Sequence, residues 1–565
     1  MSMIRSRNVP AELNRQLMAS GLSALEARLY AARGIASPTE LEHELKHLIP
    51  PDQMKGAAAA AIRLADAIAA SERILIVADY DADGATACSV AMKGLGMLGA
   101  TVDFVVPNRF EYGYGLTPEI VALAAQKSPD LIVTVDNGIA SVAGVAAAKA
   151  RGIEVLVTDH HLPGDTLPDC LIVNPNQPGC TFPSKNLAGC GVMFYVLLAL
   201  RAELRRRDAF AGQAEPNLAV LLDLVALGTV ADVVRLDSNN RILVEQGLKR
   251  MRAGRASPGV AALFTAAGRN AAKASCFDLG FTLGPRLNAA GRLDDMSLGI
   301  ACLLSGSEEA AMPLARELDQ MNRARREIEA GMREEAETAL LSIAVDDCFS
   351  IALYRADWHQ GVVGIVASRV KDKFHRPTIV FADGGEDEIK GSGRSIPGLH
   401  LRDALDLVSK RHPDLIAKFG GHAMAAGLSL RSADFARFQR AFEAVCRELM
   451  DEAALTHVIE TDGELPADAL SFATAERIES QVWGQGFPAP RFEGTFRVLE
   501  QRIVGERHLR LKLANEFGQQ IAAMRFQHAD PLPATIRAVY SLGINEFRGE
   551  RALQLLIDYC DDKAA

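Results

Sequence analysis

The sequence predicts an α/β protein: a parallel-sheet domain joined by a long helix to a second α/β domain, with a small β-barrel at the carboxyl end. Three observations lead there. Between residues 71 and 165, short apolar β-branched runs alternate with helical stretches. Residues 306–340 form a long charged stretch at helical spacing. From about Thr456 the chain changes to five short alternating runs separated by turn residues.

Taken in order, residues 1–70 read as a helical region that ends in an alanine-rich stretch, Ala57 to Ala70. The first α/β domain is expected over 71–270. Its run Ile74-Leu75-Ile76-Val77 leads into Asp79-Tyr80-Asp81-Ala82-Asp83-Gly84, with a helix expected over Thr86–Leu98. The run Leu131–Val135 leads into Asp136-Asn137-Gly138, with a helix over Ser141–Arg151, and Val155–Thr158 leads into Asp159-His160-His161. Open α/β sheets place their sites at the carboxyl ends of strands. Three strand-like runs therefore deliver carboxylates or imidazoles to one edge. The stretch Leu218–Asp232 reads as an apolar helix carrying one buried-looking acid, Asp223. A hydrophobic stretch that tolerates a carboxylate usually uses it.

Residues 271–345 read as a connecting segment containing the long helix, whose Arg323, Arg325 and Arg326 suit a solvated face. The second α/β domain is expected over 346–450. It contains Trp358-His359-Gln360-Gly361, Ser392-Gly393-Arg394 and Gly420-Gly421-His422. Trp358 suits either a core position or a base-stacking one. Residues 456–565 complete the chain, with strands expected at Phe496–Val504, His508–Leu513, Gln520–Phe526, Ile536–Asn545 and Ala552–Tyr559. Five strands suit an OB-type barrel, a common platform for single-stranded nucleic acid.

Bulk properties narrow the class. A chain of 565 residues with 49% hydrophobic and 23% charged residues is an ordinary multidomain globular protein. The formal charge of −10 argues against indiscriminate polyanion binding and leaves room for a local basic groove. Nine scattered cysteines without a C-x-x-C pair are expected as reduced thiols. No apolar run is long enough to span a bilayer, and Met1–Arg7 lacks a signal-peptide core, so a cytoplasmic protein without membrane contact is expected.

Asp79, Asp81, Asp83 and Gly84 match the first half of an EF-hand loop. That loop needs a bidentate Glu at its twelfth position, which here is Val90, and a helix rather than a strand before it. The calcium reading fails. The alternative is a divalent-metal centre: Asp81 and Asp83 on a tight loop, Asp136 bridging two ions, His160 completing a shell, and Asp223 added from the apolar helix. Carboxylates mixed with imidazole suit Mn2+ or Mg2+ better than zinc. One or two such ions, about 3.5–4 Å apart when paired, stabilise both oxygens of a phosphodiester displacement.

These residues resemble the DHH phosphoesterase superfamily, named for the motif seen here as Asp159-His160-His161. The blocks Leu283-Gly284-Pro285-Arg286-Leu287-Asn288-Ala289-Ala290-Gly291-Arg292, Trp358-His359-Gln360-Gly361 and Gly420-Gly421-His422 resemble, in the same order, its bacterial single-strand-specific DNA exonucleases. The resemblance runs from Ile74 to the terminal barrel. It implies Asp81, Asp83, Asp136, His160 and Asp223 as metal ligands with Asp79 beside them. It implies catalytic positions at His161, Asp136 and Asp159, and substrate-binding positions at Arg109, Arg286, Asn288, Ser392, Arg394, Gly420, Gly421 and His422. Some relatives carry a histidine where this chain has Val77, so one metal shell is expected to be less complete.

The implied function is 5′-to-3′ exonucleolytic hydrolysis of single-stranded DNA to 5′-mononucleotides in recombination and repair. The enzyme is expected to be monomeric and to act beside a helicase and single-strand-binding protein. Two other classes remain: a phosphodiesterase of short RNAs or cyclic dinucleotides, disfavoured by the terminal barrel, and a metal-free scaffold, disfavoured by the intact ligand set.

Overall fold

The computed structural model describes residues 3–108, 112, 115–340, 347–547 and 549–561. Arg109, one of the expected substrate-binding residues, lies outside them. The chain divides into two compact units, one comprising residues 6–319 and 460–565, the other residues 1–5 and 320–459.

In the first unit, strands β1 (Arg73–Ala78), β2 (Thr101–Val105), β3 (Leu131–Val135), β4 (Glu154–Thr158) and β5 (Leu171–Val173) form a parallel sheet in the order β2-β1-β3-β4-β5. The central strands β1, β3 and β4 are buried on both faces and read as near-continuous apolar runs, as parallel strands do, while the edge strand β2 is only partly covered. The order reverses between β1 and β3, and that topological switch opens a crevice at their carboxyl ends. Val77 belongs to the core beneath it, packed with Leu75, Ile132 and Val157.

Helix α1 (Ala82–Met97) starts four residues before the sequence predicts, so Asp83 lies in its first turn and Asp81 caps it. Helix α2 (Gly189–Arg206) is buried along most of its length, and so is helix α3 (Leu222–Ala231), one turn shorter at its start than expected because Leu218–Leu221 winds more tightly. Helix α4 (Gly284–Leu293) continues a one-turn π-helix at Asp278–Leu283. Helix α5 (Glu308–Leu340) runs 33 residues, confirming the long helix.

Part of the N-terminal region packs on the barrel. Leu29 lies in the barrel's core cluster, and the buried pair Arg33–Asp462, at 2.8 Å, ties residue 33 to the barrel segment. Tyr30, Trp483 and Phe487 stack in sequence at 5.2–6.4 Å, with Arg241 over Phe487 at 4.3 Å.

Unit two carries a mixed sheet of β6 (Ile351–Tyr354), β7 (Thr378–Gly385), β8 (Glu388–Arg394), β9 (Lys418–Gly421) and β10 (Ala425–Arg431), ordered β9-β10-β8-β7-β6. Only β6 and β7 pair in parallel. Trp358 takes the core position: it is buried and its indole N–H donates to Glu335 at 2.7 Å. Arg325 is likewise buried, paired with Glu329 at 2.8 Å.

The carboxyl-terminal strands β11 (Phe492–Val504), β12 (His508–Ala514), β13 (Gln520–Arg525), β14 (Thr535–Phe547) and β15 (Glu550–Asp561) close into a barrel ordered β11-β12-β13-β15-β14. The β13–β15 pair is parallel and the others are antiparallel, as an OB barrel requires. Its strands begin and end within a few residues of the sequence reading. All nine cysteines are free thiols, and among the described residues no helix is long and apolar enough to cross a membrane.

Candidate metal centre

Asp79, Asp136 and Asp159 each follow directly from a strand. The ladder extends one residue beyond the sheet: Asp79 N–H donates to Val135 O, Asp136 N–H to Thr158 O, and Asp159 N–H to Val173 O, at 3.1–3.3 Å. Asp136 sits at φ +62°, a left-handed conformation that Asp accepts more readily than most residues. The turn after it is closed by Thr134 Oγ1 donating to Asn137 O at 2.7 Å.

Asp81 caps α1, its Oδ1 accepting the Asp83 and Gly84 N–H groups at 2.9 and 3.0 Å. The first N–H groups of α2 point at Asp83: Gly189 donates to Oδ2 at 2.5 Å and Cys190 to Oδ1 at 3.0 Å. A helix N-terminus thus steadies a buried anion. Gly189 is required for the approach, since a Cβ there would stand 2.5 Å from Asp136 Cβ. Gly228 on α3 does the same for Asp83, whose Oδ1 would lie 2.8 Å from an added Cβ.

Three overlapping groups of side chains bring ligand atoms within 4.8 Å of one another: Asp136 with His160 and His161, Asp83 with His160 and Asp232, and Asp79 with Asp81 and Asp136. His160 Nε2 lies 3.0 Å from Asp136 Oδ1, 3.5 Å from Asp232 Oδ2 and 3.9 Å from Asp83 Oδ2. Asp136 enters two of the groups, the placement a bridging carboxylate needs.

Asp232 is absent from the sequence reading, and Asp223, which that reading chose, is not in the cluster. The two are nine residues apart on α3, about 13 Å of helix rise. Asp223 sits in the first turn with Oδ2 accepting the Ser257 N–H, while Asp232 caps the other end, beside the crevice. The apolar context singled out an acid outside the cluster, because a buried carboxylate at a helix start also serves as an acceptor for a passing backbone. The usable signal was that only the helix's carboxyl end carries a second acid, Asp232.

Burial first, then the neighbouring carboxylates, pushes Asp79, Asp136 and Asp232 well above the usual carboxylate range, and Asp81 upward as well. Mutual repulsion in a dry crevice is what a divalent cation relieves, and oxygen ligands with one imidazole suit Mn2+ or Mg2+.

A stability prediction follows for the chelated protein. A carboxyl whose folded pKa exceeds its unfolded value near 4 favours folding when protonated, so that contribution is full below about pH 4 and is lost as pH rises through the raised folded values. The chelated chain should therefore gain more melting temperature from added Mn2+ at pH 8 than at pH 5.5. An equal gain at both, read by thermal denaturation, would contradict the cluster's electrostatics.

Asp159 and His161 form a separate arrangement. Asp159 accepts the Ile139 N–H at 2.9 Å, the His160 and His161 N–H groups at 2.7 and 3.1 Å, and contacts His161 Nδ1 at 2.7 Å. Asp159 thereby orients the two histidines. Burial pushes the His161 imidazole down, but the Asp159 hydrogen bond and the surrounding carboxylates outweigh it and raise it to about 9. Burial, helped by the neighbouring His161, lowers His160 against the pull of the carboxylates, favouring a neutral ring of the kind that binds metal.

The expected phosphate binders divide. Arg286 is buried with Nε and Nη2 on Asp319 Oδ1 at 3.0 and 2.7 Å and Nη1 on Thr282 O at 2.5 Å, so its fork fastens α4 to α5. Asn288 Oδ1 accepts the Ala82 N–H at 2.9 Å and so holds the aspartate loop. On α4 these two side chains meet a neighbouring helix, the preceding turn and a backbone amide.

Within the second unit, Ser392 and Arg394 share one face of β8. Arg394 Nη1 donates to Ser392 Oγ at 3.0 Å and to Gly393 O at 2.8 Å, and among the described residues no carboxylate pairs with it. Burial lowers its pKa. A Cβ on Gly364, in the first turn of helix Val363–Phe374, would stand 2.9 Å from both Arg394 Nη2 and Ser392 Oγ. A half-buried guanidinium, a hydroxyl and a helix N-terminus together suit an anion. Gly420 and Gly421 pair with Gly427 and Ala426 on β10, the other arm of the same hairpin, and the His422 N–H donates to Ala425 O at 2.8 Å.

A parallel sheet whose switch point gathers aspartates and a DHH histidine pair, followed by a second α/β unit and a closed barrel, defines a metal-dependent DHH phosphoesterase. Family models agree: the DHH family N-terminal domain matches residues 73–229, the DHHA1 domain 343–448 and the RecJ OB domain 461–559. The chain belongs to the RecJ family. It is 52% identical to the single-stranded-DNA-specific exonuclease RecJ of Dickeya dadantii over 98% of this chain and 99% of that protein. It is 50% identical to the Escherichia coli protein of the same name, over 95% of this chain and 96% of that one. The crystal structure of Thermus thermophilus RecJ in complex with Mn2+ matches with a TM-score of 0.82 at 30% identity, covering 100% of this chain and 80% of that one.

Proposed function

We infer that this chain is a metal-dependent exonuclease that hydrolyses single-stranded DNA from the 5′ end and releases 5′-mononucleotides. The observation that carries the reading is the carboxylate–imidazole cluster at the ends of β1, β3 and β4, in the same compact unit as an OB barrel. Asp79, Asp81, Asp83, Asp136, His160 and Asp232 would hold Mn2+ or Mg2+. A bound ion of this kind supplies Lewis acidity, lowering the pKa of an attacking water and offsetting charge on the leaving oxygen.

The chain's own residues do the rest. Asp159 keeps His161 protonated at neutral pH and takes its Nδ1–H, so the imidazolium offers its charge and the Nε2–H to the phosphate. Asp136, shared between two ligand groups, sets their spacing. Ser392 and Arg394 supply the anion site of the second unit, and Arg394→Ala should raise KM roughly tenfold or more, the size of one lost charge-assisted hydrogen bond.

Digestion of an oligonucleotide labelled separately at each end, with Mn2+ or with chelator, tests the reading. Immediate mononucleotide release from the 5′ label, dependent on metal and absent on blunt duplex, is the expected result. Hydrolysis confined to dinucleotides would move the chain to the short-substrate phosphodiesterases. Monomeric state, cytoplasmic location, and work beside a helicase and single-strand-binding protein in recombination and repair belong to the same reading, supported by family membership.

The barrel offers a local basic strip for the strand. Exposed Arg502 on β11 stands directly opposite exposed Arg510 on β12, a like-charge pair that an unliganded sheet does not favour. Arg510→Glu should weaken binding of long oligonucleotides several-fold and reduce the slope of log affinity against log salt by about 1 or more. An unchanged slope would remove the strip from the DNA path.

A further inference from the structure

Phe277 and Phe281 are 57% and 68% exposed, yet their rings stack on each other with centroids 5.1 Å apart and planes 24° from parallel. Two large aromatic rings left jointly in water have lost the burial that normally places them. They flank and occupy the one-turn π-helix Asp278–Leu283, an uncommon geometry that recurs at functional sites. Leu279 and Leu283 of the same turn are fully buried. The segment is therefore anchored, and the phenylalanines project from its outer side.

What this segment touches suggests the occupant. At one end Lys273 forms an ion pair with Glu546 on barrel strand β14. At the other, Gly280 and Gly284 let the turn lie against the end of α3: an added Cβ would stand 3.3 Å from Val230 Cγ1 and 3.0 Å from Ala231 Cβ. Asp232, in the metal cluster, is the next residue. The aromatic pair thus rides on the piece of chain that links the barrel to the metal centre, all within one compact unit.

We propose that Phe277 and Phe281 form a base-stacking platform that receives the single strand between the barrel and the metal centre. Aromatic faces bind any unpaired base, so the platform tolerates all sequences. In a duplex the bases are already stacked and present no face, so the same two rings favour single strands. The inference rests on the nuclease reading above.

The experiment uses the full chain with Mn2+ and single-stranded oligonucleotides, compared with oligonucleotides of equal length whose internal nucleotides are abasic. The F277A/F281A variant should raise KM for the normal strand roughly tenfold, the size of one lost base–aromatic stack, with kcat within about twofold. F277Y/F281Y, which keeps the ring faces, should restore the wild-type KM. Abasic substitution should raise KM less in the alanine variant than in the wild type. An unchanged KM in the alanine variant, or an equal abasic penalty in both proteins, would overturn the platform and point to another occupant, such as an apolar peptide. Failure of the wild type to degrade the normal strand at all would instead overturn the nuclease reading.

Discussion

Asp136→Asn is expected to lower kcat on single-stranded DNA by about a thousandfold or more, with the fold intact. Asp136 joins two of the three ligand groups, so its loss weakens both at once. Metal-centred charge stabilisation supplies several kcal/mol to the transition state, and each 1.36 kcal/mol is a factor of ten in rate. Asparagine is the informative replacement because it tolerates the φ of +62° at this position. In chelator at pH 8 the variant should melt at or above the wild-type temperature, because a carboxyl that burial and its neighbours disfavour has been neutralised. A kcat within tenfold of wild type, measured at saturating Mn2+, would remove Asp136 from the centre.

The second large effect is a contrast on a single helix. Asp232→Asn should reduce kcat by about a hundredfold or more and raise the Mn2+ concentration needed for half-maximal activity. Asp223→Asn, at the other end of α3, should leave kcat within about threefold. Asparagine can still accept the Ser257 N–H, and the expected loss there is about 1–2 kcal/mol of stability. The pair separates folding from chemistry because both acids lie on the same element. If Asp223→Asn abolished activity while Asp232→Asn did not, the metal centre would have to be redrawn around the buried end of the helix.

Much of this was legible in the residues themselves. Apolar β-branched runs ending in Asp79, Asp136 and Asp159 announced a parallel sheet with its acids at one edge, because strand period and strand ends are local properties. The barrel strands were found within a few residues because alternation records one buried face. The motif Asp159-His160-His161 was visible, but its division of labour was not. Three backbone N–H groups and an imidazole all converge on Asp159, and only the fold brings Ile139 to it.

Local residue patterns carried the class of chemistry, the order of the domains and most of the acids at the centre. Tertiary structure decided which acid of α3 faces the crevice, that Arg286 fastens one helix to another, and that Leu29, on an N-terminal helix, joins the barrel's core. The physical reason is common to all three. A carboxylate or guanidinium carries the same local pattern whether it meets an ion, a backbone amide or an opposite charge, and only the packing of distant segments selects the partner.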